Sequence, residues 1–213
     1  MGIEWWPTAR ALTVHSMPQQ LSGLANRFST RAARWEKLFE GDVSNEAMAY
    51  GVISLYAEWE QFSRDLFYVS ALQRPLTASG VLVSRPPGIR CIEDVDEQLR
   101  QLYNRSKRWN VTVAWGTPSQ MIRACNHLAL ANGQTVNPAI QSQNSPADDV
   151  RKARNFLAHR NSSTALQVTT GPFRASLNVA SMLAWLRSRQ PGGRSQFGLW
   201  VSDMTDVARA AVQ

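Results

Sequence analysis

The sequence predicts an all-α fold, a helical bundle that contains a long antiparallel helix hairpin and a loop-rich insertion. Apolar residues recur every three or four positions through several long segments, and capping residues precede or follow these segments. No period of 20 to 50 residues repeats, which argues against a solenoid. With 213 residues, 44% of them hydrophobic, we predict one domain over residues 1–213, with an N-terminal arm at 1–15 and an insertion region at 74–118.

The first two predicted helices form the hairpin. The first begins between Ser16 and Pro18 and ends at Gly41, and the second runs from near Ser44 to just before Arg74. Because only about four residues join them, the two helices should pack antiparallel. Their apolar stripes contain Leu21, Leu24, Phe28, Ala32, Trp35 and Phe39 in the first helix, and Met48, Val52, Leu55, Trp59, Phe62, Leu66 and Val69 in the second.

The insertion region combines a loop with one helix. Residues 74–90 contain three prolines and two glycines and are predicted to be a loop, with a short strand at 81–83. A third helix is predicted from Ile92 to Trp109, followed by a brief strand at 111–115.

The rest of the chain is predicted to hold four more helices. One starts at Pro118 and ends at Ala131, and a polar loop rich in Asn, Gln and Ser follows at 132–145. The next starts at Ser145 and Pro146, carries two aspartates in its first turn, and ends at 161–163. The last two cover about 177–189 and the segment after Gly192 and Gly193 that contains Trp200 and Met204.

The helix that begins at Pro146 carries the most informative string of the chain, Arg154-Asn155-Phe156-Leu157-Ala158-His159. Arginine keeps its charge and matches phosphate oxygens, whereas histidine exchanges protons near neutral pH. Arg154 can bind a scissile phosphate, Asn155 can orient the phosphate or the imidazole, and His159 can act as general acid or base. These three residues are the candidate catalytic group for cleavage of RNA.

The string resembles the R-N-x3-H form of the Arg-x4-6-His signature of the HEPN superfamily. The preceding hairpin is similar to the HEPN arrangement, and residues 56–62 resemble an aromatic, acidic, aromatic stretch on the second helix of prokaryotic members. The resemblance covers roughly residues 16–211, and the insertion departs from the minimal bundle. It implies a metal-independent endoribonuclease of the toxin or phage-defence kind, a homodimer in which paired motif helices form one cleft, and an antitoxin or other regulatory partner.

Further residues are assigned supporting roles. Arg151, Lys152 and Arg160 should add positive potential for RNA around the cleft, and Glu60 is a candidate partner for the Arg154 guanidinium. Trp5 and Trp6 of the N-terminal arm are candidates for contact with RNA or with a second copy.

Composition narrows the classes of partner and compartment. The formal net charge is +7, and 20 of the 23 basic residues are arginines, which favours a phosphate-rich partner. Cys91 and Cys125 are too few and too isolated for a disulfide framework or a zinc site, and we expect no metal and no cofactor. No signal peptide or membrane-spanning stretch is found, so we expect a cytoplasmic protein without membrane contact.

Two other functions stay open at this stage. The chain is also compatible with a non-catalytic HEPN-like module that binds nucleotides or a partner protein through the same Arg and His. A helical scaffold or DNA-binding protein would need only the basic charge. Exposure of Arg154 and His159 discriminates between the ribonuclease and the binding module, because catalysis requires both side chains to be open in one cleft.

Overall fold

The computed structural model describes residues 20–41, 43–102, 115–141, 146–159, 162–169 and 178–213. Within these ranges the chain forms nine α-helices and isolated β-bridges but no strand, which confirms the all-α prediction. No helix in the described ranges is long and apolar enough to span a membrane. The helices are α1 Ser22–Glu40, α2 Asn45–Leu72, α3 Ile92–Leu102, α4 Pro118–His127, α5 Gly133–Gln141, α6 Pro146–His159, α7 Ser162–Thr169, α8 Val179–Arg187 and α9 Gln196–Ala210.

The predicted hairpin is formed by α1 and α2. Positions that rise along α1 meet positions that fall along α2, so the helices run antiparallel, as the contacts Phe28–Trp59, Arg31–Glu58 and Trp35–Tyr50 show. The Ser44 hydroxyl caps α2 by accepting a hydrogen bond from the backbone N–H of Ala47 at 3.2 Å. The short connection and the start of α2 near Ser44 agree with the sequence prediction.

The predicted start of α1 was too early. Gln20 forms a bridge with Leu76, and the backbone N–H of Leu21 donates to the carbonyl of Leu76 at 2.8 Å. This pairing with the insertion holds Gln20 outside the helix, so α1 starts at Ser22 rather than between Ser16 and Pro18. Residues 1–19, including Trp5 and Trp6, lie outside the described part of the chain.

The core of the bundle lies between α1, α2, α6 and α9. Phe28, Trp59 and Phe62 form an aromatic cluster with ring centroids 5.5 to 5.6 Å apart. Phe39 stacks on Phe197 of α9 at 3.9 Å. Ring contacts of this kind add to the free energy gained by burying the rings. They hold α1 against α2 and α9, while α6 packs on another part of α2.

The insertion is held by backbone hydrogen bonds rather than by a sheet. Val83 donates to the carbonyl of Pro75 at 2.8 Å, and Leu82 forms a single bridge with Leu76, so the strand predicted at 81–83 is only a bridge. The N–H of Ala78 donates to the carbonyl of Val212 at 2.7 Å, which ties the loop to the chain end. The predicted extension of α3 to Trp109 and the strand at 111–114 lie outside the described residues, and Trp115 is in a turn.

Two helices were missed by the sequence prediction, and one was drawn too long. The segment 132–145 was predicted to be a loop, but α5 forms within it because Val136, Ala139 and Ile140 bury one helical face. The preceding α4 ends at His127 rather than Ala131, since Ala129 adopts a left-handed φ of 49°. The serines at 162–163, predicted to end the motif helix, begin α7.

Candidate functional site

The helix α6 presents its apolar residues to the bundle, and its motif residues differ in burial. Val150, Ala153, Phe156 and Leu157 are buried, and α6 packs mainly on α2. Arg154 and Asn155 border this buried face and are half-buried. His159 is the last residue of the helix and is exposed. The first turn contains Asp148 and Asp149, whose charges suit the positive end of the helix dipole.

The Arg154 guanidinium contacts two side chains of the described residues. Its Cζ lies 5.8 Å from the centroid of the Tyr56 ring, a cation–π geometry, and its Nη1 donates to the Oδ1 of Asn155 at 3.0 Å. Tyr56 belongs to α2 and is only 5% exposed. Arg154 is thus held where α6 meets α2, with Asn155 beside it.

Glu60 completes this group on α2. Its carboxylate lies close to the Tyr56 hydroxyl and interacts electrostatically with Arg154. Burial raises the pKa of Glu60, while the charge of Arg154 and the hydrogen bond from Tyr56 act in the opposite direction. Burial, together with the charge of Glu60, raises the pKa of Tyr56 far above its usual value, so the hydroxyl stays protonated and donates.

The structure brings Glu60 within electrostatic range of Arg154, and Tyr56 of the same helix contacts the guanidinium through its ring. The sequence prediction assigned no role to this tyrosine. Its spacing of four from Glu60 on a helix was a readable signal, since such residues are neighbours on one face. The contact with Arg154 was not readable, because it depends on how α6 crosses α2.

Two of the predicted RNA-binding residues are paired with aspartates of their own helix. Arg151 donates from Nε at 3.0 Å and from Nη2 at 2.7 Å to one oxygen of Asp148, and the Lys152 ammonium lies 2.9 Å from the other. Lys152 also lies 3.8 Å from Asp149. These ion pairs offset part of the positive charge that Arg151 and Lys152 were expected to offer to RNA.

The ion pairs also affect the pKa values of Asp148 and Asp149. Burial by itself would raise the pKa of Asp148, but the hydrogen bonds and charges of Lys152 and Arg151 outweigh it, and the pKa is lowered. For Asp149 burial prevails over the charge of Lys152, and the pKa is raised.

His159 stands apart from Arg154 within one chain. Five residues separate them, which corresponds to about 140° around the axis of an α-helix, whereas Asn155 and His159 are four apart on one face. The structure thus brings Arg154, Asn155, Tyr56 and Glu60 together and leaves His159 in solvent at the helix end. Arg160 lies outside the described residues.

A glycine lies against the Tyr56 hydroxyl. A Cβ atom built on Gly116 would come within 2.2 Å of the hydroxyl oxygen, closer than any side chain can approach. Gly116 therefore allows the backbone before α4 to pass over the ring. The sequence alone gives no signal for this contact, because 60 residues separate the two positions.

The described residues include no group of three or more His, Cys, Asp or Glu side chains placed to hold a metal ion. Cys91 is exposed and Cys125 is buried, and both are free thiols. Comparisons of the chain with protein-family models, with curated proteins and with solved structures found no match.

Proposed function

We propose that the protein is a metal-independent endoribonuclease whose active centre contains Arg154, Asn155 and His159. The observation that supports this most is the half-buried Arg154, held beside Asn155, on the helix that ends in an exposed His159. A fixed cation and a proton carrier on one rigid element are the groups that cleavage of RNA by its own 2′-hydroxyl requires.

In the proposed reaction the 2′-oxygen attacks the adjacent phosphorus and the bond from phosphorus to the 5′-oxygen breaks. One His159 removes the proton of the 2′-hydroxyl, and an acid on the opposite side protonates the leaving 5′-oxygen. Arg154 binds the non-bridging oxygens and stabilises the extra negative charge of the phosphorane. The products are a 2′,3′-cyclic phosphate and a 5′-hydroxyl.

A homodimer supplies the second proton carrier. Each chain offers one His159, and a twofold contact that pairs two α6 helices brings a second copy to the same cleft. The exposed position of His159 at the end of α6 supports this arrangement, since the imidazole is open to a partner chain. A cytoplasmic toxin or phage-defence effector restrained by an antitoxin or regulatory protein is the setting we propose for such an activity.

The test is incubation of the purified protein with total RNA in EDTA, followed by mapping of fragment ends. We expect cleavage with cyclic phosphate ends by the native protein and at least a hundredfold less by Arg154→Ala, His159→Ala. The matched control is His127→Ala, because His127 is also an exposed last residue of a helix, α4, and should be dispensable. Equal cleavage by the native protein and the double variant contradicts the proposal.

A second function is favoured by one observation. Arg154 already has Tyr56 and Asn155 as partners, and Arg151 and Lys152 are paired with Asp148, as expected for a module that binds a nucleotide or a protein without cutting. Saturable binding of RNA without any fragments, lost in Arg154→Ala, would favour this non-catalytic HEPN-like module.

A further inference from the structure

We infer that Tyr56 is a positioning residue, which sets the orientation of the Arg154 guanidinium from the neighbouring helix. The Tyr56 ring lies beneath Arg154 with the guanidinium carbon 5.8 Å from its centroid. The Oδ1 of Asn155 takes one of the five N–H donors of the guanidinium, and within the described ranges no other hydrogen bond to these donors is seen, which leaves them for an anion. The effect of Tyr56 on cleavage rests on the proposed function. Its effect on the orientation of the Arg154 guanidinium does not.

The ring can fix Arg154 because the ring itself is held on two sides. Its hydroxyl lies close to the carboxylate of Glu60, one turn further along α2. The same hydroxyl meets the backbone at Gly116, where even a Cβ atom would come within 2.2 Å. With the side chain 5% exposed, the ring has little room to change rotamer.

The electrostatics of the group fit the same role. The half-buried Glu60 carboxylate places a negative charge near Arg154 without an ion pair of 4 Å or less between them in the described residues. The guanidinium is therefore attracted toward α2, and no carboxylate in the described part of the chain forms an ion pair with it. This arrangement leaves them able to form a bidentate contact with a phosphate.

A second tyrosine on α2 has the same kind of surroundings and serves as a control. The Tyr68 hydroxyl donates to Asp96, and the Cζ of Arg64 lies 5.5 Å from the Tyr68 ring centroid. This group is three turns from Tyr56 along α2 and contacts α3 rather than α6. This second group thus combines a tyrosine, a carboxylate and an arginine, but none of its residues belongs to the motif.

The inference is tested with Tyr56→Leu, Tyr56→Phe and Tyr68→Leu in the full chain. We expect Tyr56→Leu to lower kcat about 10- to 100-fold, because small misplacements of a catalytic group have effects of that size. KM should stay within about threefold, since RNA binds through many phosphates. Tyr56→Phe keeps the ring and should stay within about threefold of the native kcat, as should Tyr68→Leu.

A measurement independent of activity uses the NMR signal of the Arg154 side-chain N–H, assigned by its loss in Arg154→Ala. The native signal should show a ring-current shift that Tyr56→Leu removes and that Tyr56→Phe and Tyr68→Leu retain. If the native protein cuts no RNA, the proposed function fails while this signal still decides the role of Tyr56. Should Tyr56→Leu not fold, nuclear Overhauser contacts between Arg154 and the Tyr56 ring in the native protein decide instead.

Two results overturn the inference. One is a folded Tyr56→Leu variant whose Arg154 signal is unchanged, or a native protein without Overhauser contacts between the two side chains. The other is an equal fall in kcat for Tyr68→Leu, which would show that loss of a tyrosine anywhere on α2 disturbs the bundle.

Discussion

At the residue scale, the properties of Arg154 depend on side chains of another helix. The Tyr56 ring of α2 contacts the guanidinium, Glu60 of α2 attracts it electrostatically, and Asn155 accepts one of its N–H groups. The motif therefore accounts for the contact of Arg154 with Asn155 but not for its surroundings on α2. The neighbours on α2, Tyr56 and Glu60, are brought to Arg154 by the packing of α6 on α2.

Replacement of Glu60 by glutamine separates stability from activity. Burial raises the pKa of Glu60, so the folded protein holds this proton more tightly than the unfolded chain, and the charged carboxylate costs stability as pH rises through the folded pKa. Glu60→Gln should thus raise the free energy of unfolding at pH 7 but not below the pKa of unfolded Glu. At the same time Arg154 loses its charge partner, and kcat/KM should fall roughly threefold to tenfold.

Urea unfolding at pH 7 and pH 3, together with cleavage rates, measures both effects. The control is Glu58→Gln on the same helix, because Glu58 pairs with Arg31 of α1 at 2.9 Å, away from the motif. This control should leave kcat/KM unchanged. A Glu60→Gln variant that is less stable at pH 7 and equally active would contradict the assignment.

The sequence predicts candidate site residues by type but not their contacts. Arg154, Asn155 and His159 were recognisable because a cation, an amide and a rare histidine share one short string. Tyr56 and Gly116 were not, since their contact depends on tertiary packing between segments 60 residues apart. The pairing of Arg151 and Lys152 with Asp148 is predictable from their spacings of three and four, because residues at these spacings are neighbours on a helix.

At the element scale, the first turn of α6 determines how much positive charge the helix offers. Asp148 accepts from Arg151 and pairs with Lys152, and its pKa is lowered against the effect of burial. Its contribution to stability is therefore present above the pKa of unfolded Asp and is lost as pH falls through the folded pKa.

We expect Asp148→Asn to lower the free energy of unfolding by about 0.5 to 1.5 kcal/mol at pH 7, from the lost ion pairs and the lost dipole interaction. The difference from the native protein should shrink toward zero at pH 2. Because Arg151 and Lys152 are released, RNA should bind more tightly and with a steeper dependence on salt.

Denaturant unfolding at the two pH values and binding titrations at two salt concentrations test this prediction. The matched control is Asp206→Asn, which removes an aspartate paired at i,i+3 with Arg209 near the end of α9. That variant should change neither stability nor RNA affinity appreciably, since both its side chains are about 60% exposed. Weaker RNA binding by Asp148→Asn would refute the idea that Asp148 restrains these cations.

Helix prediction succeeded where apolar periodicity was long and failed where short helices have polar sequences. The hairpin α1 and α2 has many turns of periodic apolar residues, and both helices were found. The nine-residue α5 has four polar residues and a proline, and its three buried positions are covered by α4 and α9. For α7, serine was read as a helix end although it is equally common at helix starts.

At the scale of the whole molecule, the proposed mechanism requires two copies of the chain. The helix α7 packs on the motif helix α6 and carries Leu166, which is 65% exposed. An exposed large apolar side chain beside the motif is suited to a contact between protomers. We therefore expect the twofold contact to include α7 as well as the end of α6.

Leu166→Asp should weaken the dimer at least tenfold, because a carboxylate would be buried at the interface on each side of the twofold axis. Sedimentation velocity over a range of concentrations measures the effect. Val81→Asp is the matched control, since Val81 is 62% exposed but lies in the insertion loop. A dimer lost in Val81→Asp and retained in Leu166→Asp would place the interface elsewhere.

The most direct test of the central claim, that Arg154 and His159 serve attack by the 2′-hydroxyl, changes the substrate rather than the protein. Once a cleavage position has been mapped, two oligonucleotides are compared, one all RNA and one with a single 2′-deoxy sugar on the 5′ side of that bond. The account predicts loss of cleavage at that bond alone, because the nucleophile is missing. Continued cleavage of the 2′-deoxy substrate would show that another nucleophile attacks and would contradict the account.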